Sequence, residues 1–332
     1  MRPFERYLGG NVGLDNYVNT FGAYCKARYG QRIKKLTIDA QFTCPNRDGT
    51  LGVGGCTFCN VASFSAQQGL EQPISIQLAE GKLRAHARPT DKIHSPRSKV
   101  ASDKYIAYFQ AYTSTYDEFS QLKIKYDQAV ADKDIVGLHI GTRPDCVSNE
   151  VIDLLVQYQR QGLDVWLELG LQTSNVLTLK RINRGHHLNE YRKTVNAARS
   201  RGIKVCTHLI LGLPGETTVD YFNSLQTVLG IGVDGIKLHP LHIVEGSTMA
   251  KQWRYKSMSL LTLEEYACAA ATLIRHTPQH VIYHRVTAYA KKPILLAPDW
   301  CAYRWQGLVA IVDELREYGG QGSALAGFGK MA

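Results

Sequence analysis

Three of the chain's eight cysteines fall inside CPNRDGTLGVGGCTFC, with eleven residues between Cys44 and Cys56 and two between Cys56 and Cys59. A CxxC pair turns two thiolates onto one small ion or cluster, and Gly52, Gly54 and Gly55 let the chain fold back so that Cys44 joins them. Three soft thiolates suit zinc or an iron–sulfur cluster far better than calcium or magnesium. The fourth position separates the two. A structural zinc site needs a further Cys or His, and the next histidine is His86, so a histidine from a distant segment has to supply it. A four-iron cluster can be held by three thiolates, with one iron left for an outside ligand. Spacing alone allows both. Reduced core cysteines are the plain alternative, but the glycines give this stretch the chemistry of a loop.

Other reactive groups recur just after apolar runs. QAYTSTY follows KYIAYF, Thr142 to Asp145 follow IVGLHIG, Glu168 and Gln172 lie in VWLELGLQT, and Gly212 to Thr217 follow VCTHLIL. One-sided placement after successive strands is how a barrel or open parallel sheet builds a shared active face. His276, His280 and His284 recur at fours, but Pro278 breaks a helix and VIYH reads as extended, so they are not expected to share an ion.

The elements that carry these groups alternate. Strands are expected from Leu36 to Phe42, from near Tyr105, and over IVGLHIG, VWLELGLQT, VCTHLIL and IKLHPLHIV, six in all. Between them lie helices over SIQLAEGKLRAHA with Ser75 as N-cap, after Ser148, from Leu188 to Arg201, and over YFNSLQTVLGI with Thr218 as a cap. Parallel strands need crossovers of this length. Both a partial barrel and a doubly wound sheet fit the count. Beyond Glu245 a helix capped by Thr262 with Glu265, a terminal strand over VIYHRVTAY and a terminal helix over LVAIVDELREYGG are expected.

No apolar run is long and uncharged enough to span a membrane. MRPFERYLGG lacks the apolar core of a secretory signal, and the other five cysteines are scattered, so a reducing, cytoplasmic address is expected. The formal net charge is +10. Lys82 to Lys104 holds seven Lys/Arg against two acids, Lys180 to Lys204 holds eight against Glu190, and KQWRYK adds a third basic run. Such clusters suit phosphate contacts, on RNA rather than DNA because no DNA-reading helix motif is present, and equally suit solvated helix faces.

Taken in order, CPNRDGTLGVGGCTFC, YFQAYTSTY, GTRPD, LELGLQT, INRGH and ILGLPGET resemble the radical S-adenosylmethionine enzymes, within them the YhcC-like group related to the radical domain of the Elongator catalytic subunit. The resemblance covers about Leu36 to His242. It implies a partial TIM-type (β/α)6 barrel with N- and C-terminal extensions: an extension over 1–34, the barrel over 35–245, a C-terminal elaboration over 246–318 and a flexible tail over 319–332. It implies one [4Fe–4S] cluster on Cys44, Cys56 and Cys59, with S-adenosylmethionine chelating the open iron and cleaved by one electron to a 5′-deoxyadenosyl radical. The family's shortest common spacing between its first two cysteines is three residues; the eleven here narrow the likeness to the Elongator-like branch.

By the same resemblance Phe58 sits near adenine, Gln110 belongs to the cofactor face, Glu168 and Gln172 contact the ribose or methionyl part, and Leu211 and Gly212 contact adenine. Arg143 and Asp145 either position a ligand or fix their loop, and Asn183 and Arg184 shape the same face. Tyr112 is a radical or substrate contact, or packing. Cys146 donates a hydrogen atom, binds substrate, or fills space. Resemblance and charge together imply modification of tRNA or another RNA, with a flavodoxin or ferredoxin as electron donor. A radical enzyme acting on a small molecule and a zinc-stabilised, noncatalytic RNA-binding protein are the alternatives. No second cysteine group supports a methylthiotransferase, and the length after Gly246 leaves no room for a full acetyltransferase domain.

Overall fold

The computed structural model describes residues 13–60, 72–86, 103–255 and 258–325. Seven parallel strands form one sheet: β1 (Lys34–Ile38), β2 (Tyr105–Phe109), β3 (Ile135–Thr142), β4 (Asp164–Gln172), β5 (Lys204–Leu211), β6 (Gly235–Pro240) and β8 (Ile282–Arg285), in that spatial order. A short antiparallel pair, β7 (Ile243–Val244) with β9 (Leu295–Ala297), stands apart from it. The crossovers are helical: α2 (Ile74–His86), α3 (Phe119–Val130), α4 (Asn149–Arg160), α5 (Val176–Arg181) with α6 (Leu188–Ser200), α7 (Thr218–Ile231), and α8 (Thr248–Arg254) with α9 (Leu263–Arg275). α1 (Phe21–Tyr29) precedes the sheet and α10 (Gln306–Tyr318) follows it. This is a partial (β/α) barrel. The terminal strand expected over VIYHRVTAY forms over IYHR and joins the six expected strands as a seventh, parallel to β6 at the edge of the sheet.

Strand alternation sorts the side chains into two layers. On β4, Val165, Leu167, Leu169 and Leu171 face outward into the main core with the helices, while Trp166, Glu168, Gly170 and Gln172 take the other parity. β5 and β6 follow: Val205, Leu209, Leu211, Ile236 and Leu238 belong to the outer core, leaving Cys206, His208 and Ile210 and then Gly235, Lys237 and His239 for the interior. At about 25 cal/mol per Å² of apolar surface, the outer layer supplies most of the driving force. The inner layer positions chemistry.

The N-terminal end of the barrel is plugged. Phe21 on α1 packs with Ile106, Trp166, Cys206 and Ile282, and α1 is held by the Thr20 side chain, which accepts from Ala23 N. Gly235 has no Cβ because one would meet the Trp166 ring at 3.0 Å and the Ile282 carbonyl at 2.9 Å. The plug leaves the C-terminal ends of the strands as the open face.

Several boundaries differ from expectation for local reasons. β1 ends at Ile38, not Phe42, because Asp39 N donates to the Gln77 side chain and Gln41 takes φ 57°. IKLHPLHIV divides at Pro240, which has no N–H to give a ladder. Ser148 and Thr262 cap their helices as expected. Thr217 rather than Thr218 caps α7, and Ser75 lies inside α2. The segment expected as a tail begins anchored: Gln321 donates to the carbonyls of Pro278 at 2.7 Å and Val281 at 2.9 Å. The rest of it (326–332), MRPFERYLGG, most of the basic run Lys82 to Lys104, and Lys256 of KQWRYK lie outside the described residues.

Candidate active site

The spacer between Cys44 and Cys56 is a compact loop. The Cys44 carbonyl accepts from Arg47 N and Asp48 N, Leu51 N returns to the Pro45 carbonyl, and Gly55 N donates to the Asn46 carbonyl at 2.7 Å. That last bond, with Gly54 and Gly55 at φ 86° and 81°, brings Cys56 back beside Cys44 despite the eleven intervening residues. Thr57 N donates to the Ile182 carbonyl, tying the CxxC turn to the segment after α5.

All three cysteines line one cavity of about 280 Å³ at the C-terminal ends of the strands. Phe58, Gln110, Tyr112, Arg143, Glu168 and Gln172 line it too. Asp145, Cys146, Leu211 and Gly212 do not. Leu211 has the outward parity of β5, so its neighbour Ile210 lines the cavity instead, and Gly212 lies against Leu261 and Leu241. Asp145 forms a bidentate pair with Arg143 at 3.0 and 2.8 Å, and Arg143 Nη1 donates to the Arg184 carbonyl at 2.8 Å. Arg143 thus both fixes its loop and faces the cavity. Burial, with Asp145 adding, pushes the Cys146 thiol up to about 12, so it keeps its proton.

Backbone strain gathers here. Gln41, Tyr112, Gln172 and Asn183 are the non-glycine residues with positive φ among the described residues. Gln41, Tyr112 and Gln172 follow or end β1, β2 and β4, and Asn183 donates to the Gly55 carbonyl at 3.0 Å. Such conformations cost on the order of 1–3 kcal/mol each and persist where surrounding structure holds them.

Residues that sequence reading passed over or set in a minor role surround the thiols. Asn46 donates to the Asn183 carbonyl at 2.6 Å and to the Cys56 sulfur at 3.7 Å. Arg184 donates to the Gly170 carbonyl at 2.6 Å and to the Cys56 sulfur at 3.4 Å. Arg47 donates to the Cys59 carbonyl at 2.8 Å. Burial pushes the Cys59 thiol up to about 11, so cation binding must take that proton off.

This donor set fits an iron–sulfur cluster. The Cys56 sulfur receives N–H donors from Asn46 and Arg184, and the three thiols share their cavity with Arg47, Arg143 and Arg184, surroundings that stabilise an anionic cluster. Among the described residues, the three sulfurs do not all lie within 4.8 Å of one another.

Deeper in the barrel a charged cluster centres on Glu168. Its Oε1 accepts from Lys35 at 2.9 Å and contacts His139 Nδ1 at 3.0 Å; its Oε2 contacts His208 Nε2 at 3.1 Å and is paired with Lys237. Lys237 also donates to the Tyr108 hydroxyl at 3.0 Å. Burial opposes the carboxylate's charge, but Lys237 and Lys35, with hydrogen bonds from His139 and His208, hold it well below the ordinary carboxylate range. His139, His284 and Glu168 come close enough to ligate an ion. Two ammonium groups already on the carboxylate argue against a cation there. Both oxygens are occupied, so Glu168 acts first as the anchor of a buried network.

Comparison with known proteins agrees with this geometry. The model of the radical SAM superfamily matches residues 44–228, and that of the radical SAM C-terminal domain matches 233–317. The chain is 52% identical to Protein YhcC of Escherichia coli (strain K12) over 312 residues, 94% of this chain and 96% of that one. It is 28% identical to Elongator complex protein 3 of Homo sapiens over 158 residues, 46% of this chain and 28% of that one. The solved structure of the archaeal Methanocaldococcus infernus Elp3 with an N-terminal deletion superposes with TM-score 0.60 at 16% identity, covering 86% of this chain and 63% of that one. Matched family model, near full-length relative and shared barrel together imply a [4Fe–4S] and S-adenosylmethionine cofactor system: the chain is an enzyme of the radical SAM superfamily, related to YhcC and to the radical domain of Elongator.

Proposed function

We propose that Cys44, Cys56 and Cys59 hold one [4Fe–4S] cluster and that the enzyme modifies a nucleoside of tRNA or another RNA. When bound, the cluster and S-adenosylmethionine supply a 5′-deoxyadenosyl radical, the hard chemistry of the reaction. The chain's own residues do the rest. Asn46 and Arg184 direct N–H groups at Cys56, Arg143 braces the Arg184 segment, and the plug under Trp166 closes the far end of the barrel to water. Phe58, Gln110 and Gln172 line the same cavity as the thiols and are the residues for holding S-adenosylmethionine.

The observation that favours RNA is at the mouth. Exposed Tyr289 lines the cavity, and the Arg304 guanidinium lies 5.7 Å from its ring centre and 5.1 Å from that of exposed Trp305. Aromatic faces interleaved with a guanidinium are a stacking surface for unpaired bases. The net charge of +10 suits a polyanionic partner. A reducing cytoplasmic setting and a flavodoxin or ferredoxin donor accord with eight free cysteines and a reducible cluster.

Anaerobically purified protein should carry about four iron and four sulfide per chain. Zinc without acid-labile sulfide would sink the reading. Cys56→Ala should lose iron and reductant-dependent 5′-deoxyadenosine formation, whereas alanine at exposed Cys268 on α9 should lose neither. Incubation with unmodified cellular tRNA and, separately, with a metabolite extract then identifies the substrate. A reductant-dependent mass change confined to metabolites overturns the RNA assignment.

A further inference from the structure

The cavity has a second cationic region that the thiols do not use. Arg285, at the end of β8, lines it together with Lys237, His208, His239 and His242. Among the described residues the side chain of Arg285, exposed at the end of its strand, has no hydrogen bond or ion pair. Its charge nonetheless bears on Tyr108, His208, Lys237, His239 and His242, all of which line the same cavity. A guanidinium is a rigid fork of N–H donors matched to a carboxylate or phosphate.

Its neighbours are also short of partners. The Nε2 atoms of His239 and His242 are buried without a hydrogen bond. Buried polar atoms are ordinarily paired, so two orphans beside an idle guanidinium mark the place of a ligand group. Charge agrees. Arg285 and Lys237 line the cavity with Glu168, and that carboxylate is already shared by Lys35 and Lys237. Burial pushes Lys237 down to about 8, with Glu168 opposing and Lys35 and Arg285 adding. The arginines near the thiols are committed elsewhere: Arg143 to Asp145, Arg184 to Gly170, Arg47 to Cys59.

We propose that Arg285, with Lys237, His239 and His242, forms a subsite for one oxyanion, a carboxylate or a phosphate, carried by the part of the substrate that enters the barrel. The inference rests on the RNA reading only for the source of that group, which is then either an acidic substituent on the target base or a phosphate of its nucleotide.

The test is calorimetric titration of the reconstituted enzyme with inorganic phosphate and with acetate, in the absence and presence of saturating S-adenosylmethionine. One anion should bind per chain, with affinity unaltered by S-adenosylmethionine. Arg285→Gln should weaken it roughly tenfold or more, and Arg285→Lys by less, because a charged hydrogen-bonding fork is replaced first by a neutral group and then by a single point charge. Tighter acetate assigns a carboxylate on the base, and tighter phosphate assigns a nucleotide phosphate. Unchanged melting temperature and S-adenosylmethionine affinity in Arg285→Gln establish that the variant is folded and that the site is not the cofactor's own. No anion binding to the wild type, equal binding by Arg285→Gln, or displacement by S-adenosylmethionine overturns the subsite. RNA affinity measured on the same samples stands or falls separately, so loss of the subsite with RNA binding intact refutes this inference alone.

Discussion

Arg184 donates to the Cys56 sulfur at 3.4 Å and, through another nitrogen, to the Gly170 carbonyl at 2.6 Å. One guanidinium therefore joins a proposed cluster ligand to the end of β4. The join is tight: a Cβ on Gly170 would meet Arg184 Nη2 at 2.9 Å. Lysine keeps the charge but cannot span both acceptors. Arg184→Lys should reduce cluster retention or turnover by about 10–100-fold, the usual scale for groups that orient metal ligands. Iron content and the cluster's midpoint potential measure this; wild-type values for both would remove Arg184 from the site.

How much of this was legible depended on which face a residue was read onto. The thiols, Arg143 and Gln172 were visible because loop or strand-end chemistry surrounded them. Lys237, His208 and His239 were equally plain in IKLHP and CTHLIL, but polar residues alternating with apolar ones ordinarily mean a solvated face. In a barrel both faces of the sheet are enclosed, so the polar stripe points inward. Arg285 left no such signal, since its pairing opposite Lys237 depends on a register shift next to that residue. Asn46 was hidden in a different way. Its role follows from a loop return closed by Gly55, which spacing does not encode.

The Glu168 network makes a stability prediction. Removing one member of a buried, hydrogen-bonded pair strands the other in a medium that solvates it poorly. Glu168→Gln leaves Lys35 and Lys237 without their shared carboxylate and should cost about 3–5 kcal/mol. Lys237→Met should cost less, because Lys35 still neutralises Glu168. Denaturant midpoints at fixed pH compare the two; a larger loss in Lys237→Met would mean that the ammonium, not the carboxylate, anchors the network.

Acid should destabilise the fold earlier than carboxylates alone would. Burial holds His139 down to about 3 and His208 and His242 down to about 4, and keeps His239 and His284 well below the ordinary histidine range. Each folded value lies beneath its unfolded value of about 6.5, so the unfolded chain takes up protons first as pH falls. Their contribution is complete above about pH 6.5 and is lost below it, each histidine adding up to about 1.4 kcal/mol per pH unit. Glu168, also depressed, adds its loss further down, below the ordinary carboxylate range. Unfolding free energies at pH 7, 6 and 5 should fall progressively. A flat profile across that interval would show that the histidines already carry protons in the folded state.

The mouth of the cavity carries the last prediction. Arg304 lies between the exposed rings of Tyr289 and Trp305, whereas Arg192 and Lys193 on α6 are exposed cations without such a frame. If bases stack at the mouth while phosphates track the helix, the two sets contribute differently. Trp305→Ala should weaken single-stranded RNA binding by about 1–3 kcal/mol with the salt slope unchanged, because stacking releases no counterions. Charge reversal at Arg192 and Lys193 should weaken binding and flatten its dependence on salt. Affinities across a salt series separate the contributions, with 5′-deoxyadenosine formation without RNA as the control for an intact cofactor site. A Trp305→Ala enzyme with unaltered affinity would move the RNA path away from Tyr289, and with it the case that the target base enters beside Arg304.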